Sequence, residues 1–421
     1  MNITKDHILS NGLRILQCKL PHTHSVSIDL FVRAGTEYEK AEQNGITHLL
    51  EHIHFRELNG MTQDQLYYYM ESLGTTLRAE TYRNFLRFQI KVIPTKLFEA
   101  SEIFIKILTT YNWSDNALEK EQAVVLRQIE EKSSYTIDNY AYQSIFGNSP
   151  IAMPIMGNKN TVSKITSKDL TDYKNKIFNN HNMIISFAGN FNDTEILKVE
   201  KTFETIRINT GMSASGITVP ANFHKRAPNI LIETNGWSVY DIDLSFDVDL
   251  NTFSLEEVEI LNCILGEGVG SKLQKYLREE LGLTADISSF IDKYEKFSII
   301  HIQYSIDKSE FEKSLYETIN VLRQMKSNIS TADLAVSIPF YNEALDFYLD
   351  DTSEINFLNC WYGFILNKSF EKTTIRCDEQ ERFMTLAQKI FKNKNLTLTV
   401  MGDISSEKKE KIKNILVKLD E

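Results

Sequence analysis

The stretch His48-Leu49-Leu50-Glu51-His52 holds the residues best suited to chemistry. On a helix, His48 and His52 lie one above the other, and Glu51, three residues from His48, flanks the same face. Two imidazoles at this spacing can grip one zinc ion, and the adjacent carboxylate can take a proton from zinc-bound water. Leu49, Leu50 and Ile53 cover the opposite side and would bury it. A catalytic zinc site also needs a third protein ligand and an open position. A downstream helix offers Glu119, Glu121, Glu130 and Glu131, although a solvated charged face is the ordinary role of such residues. The plain alternative for the histidines is an incidental pair on an amphipathic helix. Gly266, Gly268 and Gly270 lack the Lys-Ser/Thr ending of a phosphate-binding loop.

The elements that must position these residues follow from periodicity and turn signals. Strands are expected near 11–20 and 26–34, then helices near 42–56 and 63–73. Strands near 75–80 and 84–93 and helices near 95–110 and 115–145 complete that region. The unit then repeats. Asn182 to Asn190 and Asn395 to Asp403 both alternate as strands do, end in Gly plus Asn or Asp, and lead into a polar helix. Gly189 and Gly402 are offset by 213, and Ile28 and Ile242 by 214. The most linker-like run begins at Asn209-Thr210-Gly211-Met212-Ser213. The expected layout is therefore a domain at 1–208, a linker at 209–221 and a homologous domain at 222–421. Each half mixes strands and helices without strict alternation. That favours an α+β class, with a mostly antiparallel sheet packed by helices.

The 421 residues suit two domains, and 42% hydrophobic with 24% charged residues describes a soluble globular chain. No apolar run reaches membrane-spanning length. The N-terminus carries no secretory pattern, and Cys18, Cys263, Cys360 and Cys377 form no C-x-x-C pair. Together these point to a cytoplasmic protein with reduced thiols. A net charge of −11 argues against nucleic-acid binding.

The chemistry-bearing block resembles the insulinase/pitrilysin-like zinc peptidases, whose H-x-x-E-H motif inverts the commoner H-E-x-x-H. Arg33-Ala34-Gly35-Thr36-Glu37-Tyr38-Glu39 and Asn44-Gly45-Ile46-Thr47 before His48 are similar to that family's signature. Met153-Pro154-Ile155-Met156-Gly157, Phe187-Ala188-Gly189-Asn190, and Leu265 to Leu273 with Leu277 to Leu283 also match. The resemblance spans essentially the whole chain and points to the processing-peptidase-like members of similar length. It implies a fold in which two homologous halves form half of a clamshell chamber.

It also implies roles. His48 and His52 would bind Zn2+, and Glu51 would be the general base. The third ligand falls 76 positions after the second histidine, which here is Gln128. Glu121, seven residues earlier, matches an acidic residue that supports the site from outside. Leu77, Arg78, Ala79, Glu80 and Thr81 match the edge strand to which a peptide adds. Arg278 matches an arginine that helps bind the peptide. The chain departs from the family in three places: Gln128 replaces Glu, Ala285 stands where a tyrosine follows that arginine, and Arg78 replaces an asparagine. Gln128 carries no charge, so weaker metal binding is expected.

The reading is a zinc endopeptidase subunit for short or unfolded peptides, precursor or leader peptides among them. It would work as a dimer, specifically a heterodimer whose homologous partner supplies the Arg/Tyr pair. The alternative is a non-catalytic, peptidase-like binding or assembly subunit.

Overall fold

The computed structural model describes residues 5–131, 136–213, 229–233, 238–368, 371–402 and 404–421. Most of the expected linker, 214–221, lies outside them. The chain divides into two compact units. One comprises Met1–Ser134, Asn148–Ile217 and Asp346–Phe370, and the other Tyr135–Gly147, Thr218–Leu345 and Glu371–Glu421.

The first unit carries a six-stranded sheet in the order Lys5–Ile8, Arg14–Lys19, Met183–Gly189, Val26–Val32, Leu86–Val92, Arg78–Thr81. Every pairing is antiparallel except that of Arg14–Lys19 with Met183–Gly189. The second unit has a five-stranded sheet in the order Ile287–Lys293, Phe297–Asp307, Val239–Asp249, Leu396–Met401, Asn229–Glu233. Here only the last pairing is parallel. Both are mostly antiparallel sheets packed by helices, as expected.

The sheet registers carry the repeat. Ile28 stands opposite Phe187 in the first unit, and Ile242 opposite Val400 in the second. Both offsets read from the sequence, 213 and 214, are therefore satisfied by one superposition of ladders. Gly189, at φ +136°, ends its strand where a Cβ would lie 2.2 Å from the Ser25 carbonyl oxygen, so only glycine fits there.

Three expectations need correction. The helix expected over 115–145 is two helices. Asp115–Glu131 belongs to the first unit, while Ile137–Phe146 packs on Val239–Asp249 and Leu396–Met401 in the second. The helix expected from about 42 begins only at Ile46, because Gly45 is left-handed at φ +94° and tight turns at Thr36–Tyr38 and Ala41–Gln43 precede it. The edge strand Lys5–Ile8 was not anticipated; it is short and mostly exposed, so no apolar pattern announces it.

The central strands Val26–Val32 and Met183–Gly189 are buried throughout. The helix Thr352–Cys360, from far along the chain, packs on both strands within the first unit. Its Asn356 satisfies the polar residues underneath, donating through Nδ2 to Asp29 Oδ1 at 2.7 Å and to the Ser186 carbonyl at 3.1 Å. Asp29 is also paired with Arg87 at 2.6 Å. Burial pushes the Asp29 carboxyl above its ordinary value despite the Arg87 charge and these bonds.

Candidate functional site

The helix Ile46–Arg56 is fixed at its start and along its back. Gly45 precedes it where a Cβ would meet the Met156 carbonyl oxygen at 2.7 Å, so the Met153–Gly157 segment packs directly against the start of the helix. The buried Glu39 carboxylate accepts from the backbone N–H groups of Gly45 and Thr47, each at 2.9 Å, and so caps donors that the first turn leaves free. Burial raises the Glu39 carboxyl above its ordinary value, and the bonds it accepts offset only part of that shift. Leu49, Leu50 and Ile53 are fully buried in the core. Each contributes roughly 1.5–3 kcal/mol by leaving water.

His54 faces the core too. Its Nδ1 lies 2.6 Å from the Leu50 carbonyl, and its Nε2 accepts from the fully buried Lys174 at 2.9 Å. Lys174 also donates to the Thr110 carbonyl at 2.6 Å and to that of Ile107, just beyond and near the end of the helix Leu97–Thr109. Burial holds the Lys174 ammonium well below its usual value. The histidine helix is thus clamped from behind.

The opposite side of the helix gathers the remaining residues. The His48 and His52 rings meet edge to face with centroids 4.6 Å apart. His48 Nε2 stands 3.3 Å from Gln128 Oε1. Glu121 is buried and takes the Nδ1–H of His52 at 3.1 Å through one carboxylate oxygen. Its other oxygen accepts from the Nε–H of Arg56. Residues 121 and 128 are two turns apart on Asp115–Glu131, and both reach the histidine helix. Glu119, Glu130 and Glu131 are exposed, so these three keep the solvated role.

Glu51 lies between the histidines and the sheet edge. One oxygen is 3.6 Å from His48 Nδ1, and the Thr81 hydroxyl donates to the same oxygen. Burial pushes the Glu51 carboxyl up, but the contact and charge of His48 and the Thr81 bond outweigh it, leaving the carboxyl below its ordinary value. Glu121 behaves alike: burial raises it, while His52 and Arg56 bring it below the usual range.

Thr81 ends the strand Arg78–Thr81, which lies at the edge of the sheet and, among the described residues, pairs only with Leu86–Val92. Arg78 and Glu80 are exposed, Ala79 is half-buried, and Leu77 sits just before the strand, tucked into the core. Arg278 belongs to the second unit, in the π-helical turn Gln274–Glu280, where it pairs with Glu279 at 3.5 Å.

The donor set suits a divalent cation. Two imidazoles and a carbonyl oxygen converge, and with Nδ1 of His52 committed to Glu121 its Nε2 keeps a free lone pair. His48 Nδ1 is buried without a hydrogen-bond partner. What is missing is charge. Among the described residues, no three His, Cys, Asp or Glu side chains converge on one metal-sized space, because the third contributor is Gln128. Sequence reading missed Arg56 and Lys174, and placed Thr81 on the edge strand without its bond to Glu51. Arg56 had a signal, since it lies four residues after His52 on the same face. The bond of Thr81 and the contacts of Lys174 had none, because they cross long sequence distances.

Similarity to known proteins bears on the family and the fold. Residues 14–159 match the family model for insulinase (peptidase family M16), and residues 164–338 match the model for the peptidase M16 inactive domain. A zinc protease of Rickettsia bellii is 25% identical over 79% of this chain and 80% of its own length. The beta subunit of the Saccharomyces cerevisiae mitochondrial-processing peptidase is 29% identical over 44% of this chain and 41% of its own. The crystal structure of a protease from Helicobacter pylori shares the fold with a TM-score of 0.83 at 18% identity, covering 95% of this chain and 99% of that one. With both halves matched in order and the inverted motif in the first, the chain belongs to the insulinase family of peptidases (peptidase family M16).

Proposed function

We propose that this chain is a zinc-dependent endopeptidase subunit acting on short or unfolded peptides in a chamber closed by a homologous partner chain. The observation that carries this reading is the placement of Glu51, between the histidine pair and the edge strand, bonded to Thr81 and near His48. His48, His52 and Gln128 would hold the metal, with Glu121 orienting His52. Bound zinc would acidify a water and polarise a peptide carbonyl. Glu51 would accept the proton of that water on the oxygen facing His48, and later pass it to the leaving amine. Its depressed pKa keeps it ionised and ready to accept at neutral pH. The edge of Arg78–Thr81 would bind the peptide as an added strand, through backbone hydrogen bonds that demand little sequence. Arg278 would contribute to peptide binding, while the tyrosine that Ala285 replaces would come from the partner. A heterodimer follows from that division, and the subunit naming of the yeast processing peptidase is in keeping with it.

Gln128 and Ala285 support a second reading, a non-catalytic subunit that keeps the fold for binding or assembly. One experiment separates the two. Zinc content is measured on the untagged chain, and hydrolysis of an unstructured fluorogenic peptide is followed with an Arg/Tyr-bearing homologue added. The endopeptidase reading expects about one zinc per chain in wild type and in Glu51→Gln, with hydrolysis in the variant lower by about 10²–10⁴-fold. Near-zero zinc that persists after zinc is supplied establishes the non-catalytic reading. Unimpaired turnover by Glu51→Gln rejects the role given to that carboxylate.

A further inference from the structure

The Arg56 guanidinium is placed as an internal competitor for the metal. Its Nε–H binds one oxygen of Glu121 while His52 Nδ1 takes the other at 3.1 Å, so neither oxygen of this buried carboxylate is free. Arg56 lies one turn beyond His52, in the last turn of the same helix, and is itself half-buried. The formal charge around the histidine pair is set by Glu51, Glu121 and Arg56, because Gln128 is neutral. Two carboxylates and one guanidinium leave a single net negative charge to face a divalent cation. At the effective dielectric of about 20 that suits such partly buried groups, the Arg56 charge is reduced but still acts on the histidine pair.

We propose that Arg56 sets the metal affinity of this chain, by neutralising Glu121 and holding it as an orienting group for His52 rather than a charged contributor to the metal. The inference rests on the metal reading above. In a site with Glu at position 128, the Arg56–Glu121 pair would be a minor correction. Here Glu121 is the charge that could compensate for Gln128, and Arg56 cancels it. Loss of the guanidinium doubles the net negative charge facing the metal and frees one carboxylate oxygen to turn toward it.

The test measures zinc affinity of the full chain by competition with a chromophoric chelator, for wild type, Arg56→Gln, Arg56→Lys and the double variant Arg56→Gln/Glu121→Gln. The expected result is zinc binding about tenfold tighter in Arg56→Gln, within the tenfold to hundredfold range of outer-sphere changes. Arg56→Lys stays near wild type because it keeps the charge, and the double variant falls to wild-type affinity or below because the gain needs Glu121. The metal-free thermal midpoint of Arg56→Gln falls, since the buried Glu121 loses its guanidinium partner and keeps only His52, and the rise on adding zinc exceeds that of wild type. Unchanged or weaker zinc affinity in Arg56→Gln overturns the proposal, as does a gain that survives in the double variant. Absence of zinc binding in every variant, with the fold intact by circular dichroism, overturns the metal reading and the proposal with it.

Discussion

Gln128→Glu tests the geometry of the centre most directly. At an effective dielectric of about 20, a carboxylate at a usual zinc–oxygen distance of roughly 2.1 Å attracts the dication by about 16 kcal/mol. Two effects oppose this gain. In the metal-free chain the new carboxylate stands at the position of Gln128 Oε1, 3.3 Å from His48 Nε2, and accepting a hydrogen bond from that ring is worth about 1.5–3 kcal/mol that the metal must displace. Burying the added charge costs several kcal/mol more, and the attraction of the glutamine carbonyl for the metal is lost. What remains is a few kcal/mol, on the order of a hundredfold in affinity. Competition titration with a zinc chelator reads this at neutral pH. Zinc affinity unchanged or weakened in the variant would refute the reasoning, because residue 128 would then not face the metal.

Two further outcomes are expected. The isolated chain should hydrolyse peptides slowly and gain about 10²–10³-fold when a homologous partner brings the Arg/Tyr pair, the usual worth of one oxyanion-side donor; full activity of the chain alone rejects the divided site. In the second unit, burial pushes His301 down, but the Asp243 charge at 2.8 Å and Asp292 at 3.4 Å raise its pKa from 6.5 to about 10. The folded value lies above the unfolded one, so this stabilisation is complete below pH 6.5 and is lost as pH rises toward 10. The urea midpoint should fall across that window, and His301→Gln should flatten the slope; a wild-type midpoint independent of pH there shows that His301 is not charged in the fold.

His301 also illustrates what local reading cannot supply. It stacks against Phe290 and meets Asp243 and Asp292 from neighbouring strands, while Tyr142, from the helix Ile137–Phe146, donates to Asp292. Nothing near Tyr142 in sequence announces this partner, more than a hundred residues away. Sequence reading also merged Asp115–Glu131 and Ile137–Phe146 into one expected helix. Both are periodic; Thr136 begins the second in extended backbone and caps it by accepting from the Asn139 N–H, and the two pack in different units.

The amino-acid sequence alone determined the inverted histidine motif, its helix, the twofold repeat and the shared helix face of Glu121 and Gln128, while only the family resemblance implied that this face meets the histidines. These are periodic properties: residues four or seven apart share a helix face, and alternating residues share a strand face, whatever lies around them. Tertiary structure decided which charges act on the centre. Arg56 closes on Glu121, Thr81 closes on Glu51, and Lys174 braces His54 from behind. It also decided that the polar residues of Val26–Val32 are buried, because a helix from residues 352–360 covers them. Such pairings depend on chain segments tens to hundreds of residues apart meeting in space, and burial then sets the strength of each charge.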